Sequence, residues 1–134
     1  MNSVRRYIPA LVLTAAFGMG LPLASAPQAL ADNSGSCSWD NVCLFADSGF
    51  WGGVWQRNAN GNTSVLTFNL GDAGFNDQSS SWINRGFHDA KWFWGANATG
   101  GSECMNSFSN SSYVGWWNND EASSVQIYTD ELAC

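Results

Sequence analysis

Past residue 27 the chain contains no proline, and its 134 residues include a single histidine, His88, and only five lysines and arginines. One histidine and the lack of any Cys-x-x-Cys pair argue against a structural or catalytic zinc site. The scarcity of cations argues against a nucleic-acid partner, since phosphate binding needs clustered Lys and Arg. No window keeps a helical hydrophobic period over three turns, so a helical body is not expected. Apolar side chains run without interruption by charge only near the start, from Ile8 to Leu23, and that run is short for a bilayer span and broken by Pro9 and Pro22.

What is present at the start is an export leader. Arg5 and Arg6 precede the apolar run, and two small-residue sites come after it, Ala24-Ser25-Ala26 and Ala29-Leu30-Ala31. Pro27 disfavours cleavage at the first, so the expected signal peptide is 1–31 and the mature chain 32–134. The mature part keeps three basic and eleven acidic side chains, a net charge of −8. All three prolines go with the leader, and all eight tryptophans stay. A chain of this size supports one domain, expected over 32–134, secreted, monomeric and with no membrane contact after cleavage.

The four cysteines, Cys37, Cys43, Cys104 and Cys134, form an even set in an exported chain and read as two disulfides. Three pairings are possible. Cys37–Cys43 with Cys104–Cys134 is favoured, because each bridge then closes a loop within one half of a repeat. On the chain-entropy model the longer loop contributes roughly 3–4 kcal/mol.

The repeat is read from Asn76-Asp77-Gln78-Ser79-Ser80-Ser81 and Asn119-Asp120-Glu121-Ala122-Ser123-Ser124, both Asn-Asp-x-x-Ser-Ser. Two copies of one supersecondary unit are expected rather than a single enzymatic pocket. Runs rich in β-branched and aromatic residues predict strands at 42–45, 53–57, 64–69, 80–84, 90–94, 103–108, 112–117 and 123–129. Asn60-Gly61 between the second and third predicts a tight hairpin. Eight short strands separated by turn signals point to an all-β sandwich.

A second repeated frame refines this. Phe45 to Gly52 spaces two aromatics five apart with a glycine two further on, and Phe93 to Gly100 repeats it with Ala98 in place of the second ring. Two rings can stack over a folded hairpin whose glycine permits a turn that a side chain would block, and serine from the later motif can bond back onto it. The missing ring at Ala98 is expected to weaken the second hairpin and loosen the loop between it and Cys104.

These paired motifs resemble the βγ-crystallin fold, a sandwich of two four-stranded Greek keys, here about 37–86 and 87–134. The leader, the mature length, Cys-x5-Cys opening into Val42-Cys43-Leu44-Phe45 and a second bridge reaching the C-terminus resemble small secreted bacterial peptidase inhibitors of the metalloproteinase-inhibitor type. The resemblance implies no enzyme activity, no required cofactor, and an extracellular peptidase as partner, a thermolysin-like zinc protease above all. Such proteases prefer a large apolar residue just after the scissile bond. Cys104–Met105 is therefore the expected inhibitory bond, with Met105 filling the pocket and the disulfide fixing the loop. From residue types alone, a buried bridge beside a core methionine fits the pair better, and only the family resemblance raises the loop reading.

Two other functions fit parts of the chain. Calcium takes hard oxygens, and the crystallin resemblance implies two interlocked sites in which Asp77, Ser80, Asp120 and Ser123 serve with carbonyls near Gln78 and Glu121. The same residue types also close turns on their own backbone without an ion. The eight tryptophans suggest glycan binding or a killer-toxin-like role, although in so short a chain most belong in a core. Catalysis has the least support, because His88 and Asp89 are strand neighbours facing opposite ways and no nucleophile has a recognisable base.

Overall fold

The computed structural model describes residues 33–134, so the expected leader and its cut after Ala31 lie outside the described residues. Eight strands form, β1 Asn41–Asp47, β2 Trp51–Asn58, β3 Leu66–Asn69, β4 Ser81–Asn84, β5 Ala90–Gly95, β6 Thr99–Met105, β7 Ser109–Ser111 and β8 Ser124–Ile127, with short 3-10 turns at Asn33–Ser36 and Leu70–Ala73. They make two four-stranded antiparallel sheets, ordered β2-β1-β4-β7 and β3-β8-β5-β6. This is the all-β sandwich expected. The two sheets are related by exchange: β3, from the first half, joins the second sheet, and β7, from the second half, joins the first.

Val42, Leu44, Trp55, Trp82, Trp92, Met105, Val125 and Ile127 fill the space between the sheets. Each fully buried aliphatic side chain among them contributes about 1.5–3 kcal/mol. Strand β1 is buried on both faces from Val42 to Phe45, because Cys43 and Phe45 point outward into a second cluster with Cys37 and Ile83. That outer cluster is roofed by the N-terminal arm. The Cys37–Cys43 bridge, with Cα atoms 5.8 Å apart, ties the arm to β1, and the Arg85 guanidinium donates to the carbonyls of Cys37 at 2.8 Å and Ser34 at 3.1 Å.

The first hairpin folds as the aromatic-glycine frame requires. Phe45 and Phe50 meet edge to face with centroids 5.7 Å apart. Ser81 Oγ donates to the Asp47 carbonyl at 2.7 Å and accepts from the Phe50 amide at 3.1 Å. In the second hairpin Ser124 Oγ donates to the Gly95 carbonyl at 2.6 Å and accepts from the Ala98 amide at 2.9 Å. The serine clamp thus holds this turn in the absence of the second ring, and β6 pairs with β5 directly after it from Thr99. The loosening expected from Ala98 is not seen.

Three local expectations are corrected. Asn60-Gly61 is not a hairpin, because β2 and β3 belong to different sheets and the segment between them crosses over; Asn60 instead accepts from the Phe87 amide at 2.8 Å. The sixth strand ends at Met105, where Asn106 to Phe108 turn toward the other sheet. The seventh is Ser109–Ser111, whereas 112–117 is a loop with Gly115 at φ +85. Tyr113, Trp116 and Trp117 have β propensity but find no partner strand, and their rings lie in solvent.

Gly52 has φ +75, and a Cβ there would come within 2.6 Å of Asp47 Oδ2 and 3.1 Å of Ala46 Cβ. Gly52→Ala should therefore destabilise the protein by about 1–3 kcal/mol in urea unfolding, while Gly35→Ala, into open space, should stay within about 0.5 kcal/mol. Equal midpoints for the two variants would contradict this account of the hairpin.

Candidate functional site

The residues expected to carry inhibition fall on either side of the sandwich wall. Cys104, half-buried on β6, is bridged to Cys134 with Cα atoms 6.0 Å apart. Met105 is fully buried in the main core, paired across β5 with Ala90. Strand alternation is the reason: the position that aligns Met105 with the core also fixes its backbone in a ladder. Its side chain is thus unavailable to a protease pocket in the folded protein, and the bond Cys104–Met105 is structural.

Three residues later the chain is displayed. Asn106, Ser107 and Phe108 form the turn that carries the chain from β6 to β7, and the Phe108 ring is 56% exposed. Phe108 has φ +52, a conformation that costs a residue with a Cβ roughly 1–2 kcal/mol. Its surroundings hold it there. Asp89, 2% exposed, accepts from the Ser107 amide at 2.8 Å through Oδ1 and from the Cys134 amide at 3.0 Å through Oδ2. One buried carboxylate therefore fixes the turn and the C-terminus together, beside the disulfide that joins the same two segments. Ser109 Oγ closes the turn on the Asn106 carbonyl at 2.6 Å, and Phe87, 60% exposed, meets Phe108 edge-on at 4.8 Å. A groove of about 450 Å³ runs beside the turn, lined by Trp39, Phe50, Ile83, Arg85, Phe108 and Asn110 among others.

In the sequence Asp89 stands out only as a neighbour of His88. Both residues precede β5, which begins at Ala90, so they are not strand neighbours, and Asp89 is spent on backbone amides. The signal that could have pointed to this anchor is its spacing: an acid directly before one strand, then a cysteine on the neighbouring strand that is bridged to the C-terminus.

Four of the six calcium candidates are brought together in reciprocal fashion. Ser123 Oγ lies 3.1 Å from Asp77 Oδ1, and Ser80 Oγ lies 3.4 Å from Asp120 Oδ1. The backbones mirror this, with the Asp77 amide donating to the Ala122 carbonyl and the Asp120 amide to the Ser79 carbonyl, each at 3.0 Å. Both aspartates sit in the left-handed region, at φ +53 and +59. Asn76 and Asn119 donate to the second carboxylate oxygen of their own neighbour, leaving each Oδ1 toward the serine. The side chains of Gln78 and Glu121 are exposed, and Gln78 donates to the Gly74 carbonyl. No cluster of three or more His, Cys, Asp or Glu occurs among the described residues, so neither zinc nor a carboxylate-rich site is built here.

A family model described as peptidase inhibitor family I36 matches residues 31–105. This chain belongs to that family. A member of peptidase inhibitor family I36 is an inhibitor and not an enzyme, so its partner is a peptidase. In fold it is similar to a βγ-crystallin domain from Clostridium beijerinckii, 21% identical over 65% of this chain and 95% of that one, TM-score 0.54. It is also similar to a βγ-crystallin from Ciona intestinalis, 27% identical over 63% and 95%, TM-score 0.51, and to a βγ-crystallin domain from Flavobacterium johnsoniae, 23% identical over 65% and 93%, TM-score 0.50. No curated protein matches significantly.

One further carboxylate is set apart by its environment. Burial pushes Glu103, on β6, above the ordinary glutamate value of 4.5, an effect partly offset by the hydrogen bond from the Asn118 side chain. The folded state holds this proton more tightly than the unfolded chain does. The resulting cost to folding is absent below the unfolded value and develops as pH rises through the raised folded value. Glu103→Gln keeps an acceptor for Asn118 and removes the charge, so its melting point should exceed that of the parent at pH 7 and converge with it near pH 4. A constant difference at both pH values would refute the assignment.

Proposed function

We propose that this family I36 member is an exported inhibitor of thermolysin-like zinc peptidases that presents the Asn106–Phe108 turn as a pre-ordered, substrate-like loop. Phe108 carries the reading: a large apolar ring in solvent, on a turn clamped by Asp89 and lying close in sequence to the Cys104–Cys134 bridge. A zinc peptidase that prefers a large apolar residue just after its scissile bond would engage Ser107–Phe108, with the phenyl ring in its pocket. The chain continues from Phe108 into β7, which pairs only with β4 among the described residues and leaves its other edge open to a strand of the peptidase. A loop already ordered loses little entropy on binding. Export with removal of residues 1–31 would bring the inhibitor to an extracellular target and suits its two disulfides.

Phe108→Asp should raise the inhibition constant against a thermolysin-like enzyme about thirtyfold or more, the size of a hot-spot loss near 2 kcal/mol. Met105→Leu, a volume-conserving change in the core, should leave inhibition intact. Trypsin and subtilisin should be unaffected by the parent protein. Unchanged inhibition by Phe108→Asp would remove the turn from the interface.

A second reading concerns the scaffold. We infer that calcium binds at the two Asp–Ser pairs, because two hard oxygens 3.1 and 3.4 Å apart can both serve one ion at ordinary calcium–oxygen distances of about 2.3–2.6 Å. Asp77 and Ser123 would hold one ion and Asp120 and Ser80 the other, with backbone carbonyls near Gln78 and Glu121 completing each set. With one carboxylate per ion, affinity belongs to the weak extracellular range. At ten times the dissociation constant each occupied site should raise the melting midpoint by about 6–11 °C, and chelation should reverse the shift. Asp77→Asn combined with Asp120→Asn should abolish the response; a parent midpoint indifferent to about 10 mM calcium, roughly ten times the constant of the weakest such sites, would refute it.

A further inference from the structure

Trp94 is held in an unusual way for an exposed tryptophan. It lies at the end of β5, 47% exposed, and a Cβ placed on Gly101 of β6 would come within 3.0–3.2 Å of three atoms of its ring system. The indole therefore rests on a glycine floor, against which a side chain would push it away. Its rotation is fixed as well. Nε1 donates to Asn118 Oδ1 at 3.3 Å, and Asn118 Nδ2 donates in turn to Glu103 Oε2 at 2.8 Å and to the Val114 carbonyl at 3.1 Å. Both ends of the Asn118 amide are used in holding the loop and the indole.

The residues directly before Asn118 are Trp116 and Trp117, 67% and 71% exposed, their ring centroids 3.6 Å apart and their planes tilted by 32°. One exposed indole is thus hydrogen-bonded to Asn118 and two more directly precede that anchor in the chain, whereas Trp55, Trp82 and Trp92 are buried in the core. Exposed aromatic surface of this extent, at a place where the backbone has been pared to glycine to seat a ring, marks a binding surface. Electrostatics narrow the partner. No lysine or arginine comes after Lys91, while Glu103, Asp120 and Glu121 lie in the strand and loop that carry the network. An anionic polymer, whether nucleic acid, acidic lipid or uronate, would be repelled. A neutral sugar polymer has no charge to repel and offers apolar C–H faces that match flat, pre-oriented rings.

We propose that Trp94, Trp116 and Trp117 form a stacking platform for a neutral hexopyranose polymer, separate from the Phe108 turn and independent of the inhibitory reading. Such a platform would keep the inhibitor on the solid material at which secreted peptidases meet it.

The test is co-sedimentation of the secreted protein with insoluble chitin and cellulose, with soluble polygalacturonate as an anionic comparison in affinity electrophoresis. Retention on at least one neutral polymer and none on polygalacturonate is expected. Trp94→Ala and the pair Trp116→Ala/Trp117→Ala should each weaken retention about tenfold, as for the loss of a stacking contact. Trp94→Phe, which preserves an aromatic face on Gly101, should retain most of it. Peptidase inhibition and the melting midpoint should stay near parental values in Trp94→Phe and in the Trp116/Trp117 pair. No retention on either neutral polymer would overturn the proposal, as would retention unchanged in both alanine variants. Loss of peptidase inhibition in the Trp116/Trp117 pair without any polymer binding would overturn it too, and would assign the platform to the peptidase interface.

Discussion

The two Asn-Asp-x-x-Ser-Ser segments hold each other, and most of the architecture depends on that mutual grip. The amide of Asp77 bonds the carbonyl of Ala122 and the amide of Asp120 bonds that of Ser79, so neither segment reaches its conformation alone. The next residues extend the grip symmetrically: the Ser80 amide reaches the Phe45 carbonyl and the Ser123 amide the Phe93 carbonyl. Ser81 and Ser124 then clamp one folded hairpin each. With the segments crossed, β3 is delivered to the second sheet and β7 to the first. Neither half retains a complete sheet when separated, which makes a single cooperative core the physical unit.

Much of this is legible in the sequence because it rests on residues with restricted conformational options. A glycine at the turn of a folded hairpin, a serine able to bond the hairpin backbone and an Asn-Asp pair tolerant of positive φ are chemical requirements, and each leaves a mark at a fixed spacing. The parts that mislead are those where the same residue types serve two environments. Tyr113 to Trp117 look like a strand by composition and form an exposed aromatic loop. Asn60-Gly61 has hairpin chemistry but joins two sheets, because the partner of β3 is β8, more than fifty residues away. Met105, within the strand predicted over 103–108, suits both a core and a displayed bond by residue type, and the register of β6 against β5 decides for the core.

The acidic balance of the chain takes on structural sense once the carboxylates are placed. Asp89 is buried and serves two backbone amides. Asp77 and Asp120 face serines across the crossed segments. Glu103 anchors the amide that orients Trp94. Each of these acts through hydrogen bonds to neutral donors, a pattern that leaves the few cations for other work. Arg85 illustrates the complement, since its guanidinium pins the N-terminal arm through carbonyls and stacks over Trp39 at 5.5 Å.

In the proposed inhibitory role, the turn at Asn106–Phe108 would depend on anchors on both sides of one bond. On the upstream side the Ser107 amide is fixed by Asp89, and Cys104 is fixed by its bridge to Cys134. Downstream, Ser109 to Ser111 lie in the ladder with β4. If a peptidase cut between Ser107 and Phe108, each new end would still be attached to a different part of the same folded body. Separation of the ends would require opening either the β4–β7 ladder or the buried Asp89 contacts, so the cut ends stay within reach of rejoining and the product leaves slowly. A loop tethered only by the disulfide would lack the downstream restraint, and a loop tethered only by strand pairing would lack the upstream one. Placing a tight turn between two sheets supplies both, so under the proposal the fold's crossover, rather than the cysteine alone, would let this segment occupy a peptidase without yielding to it.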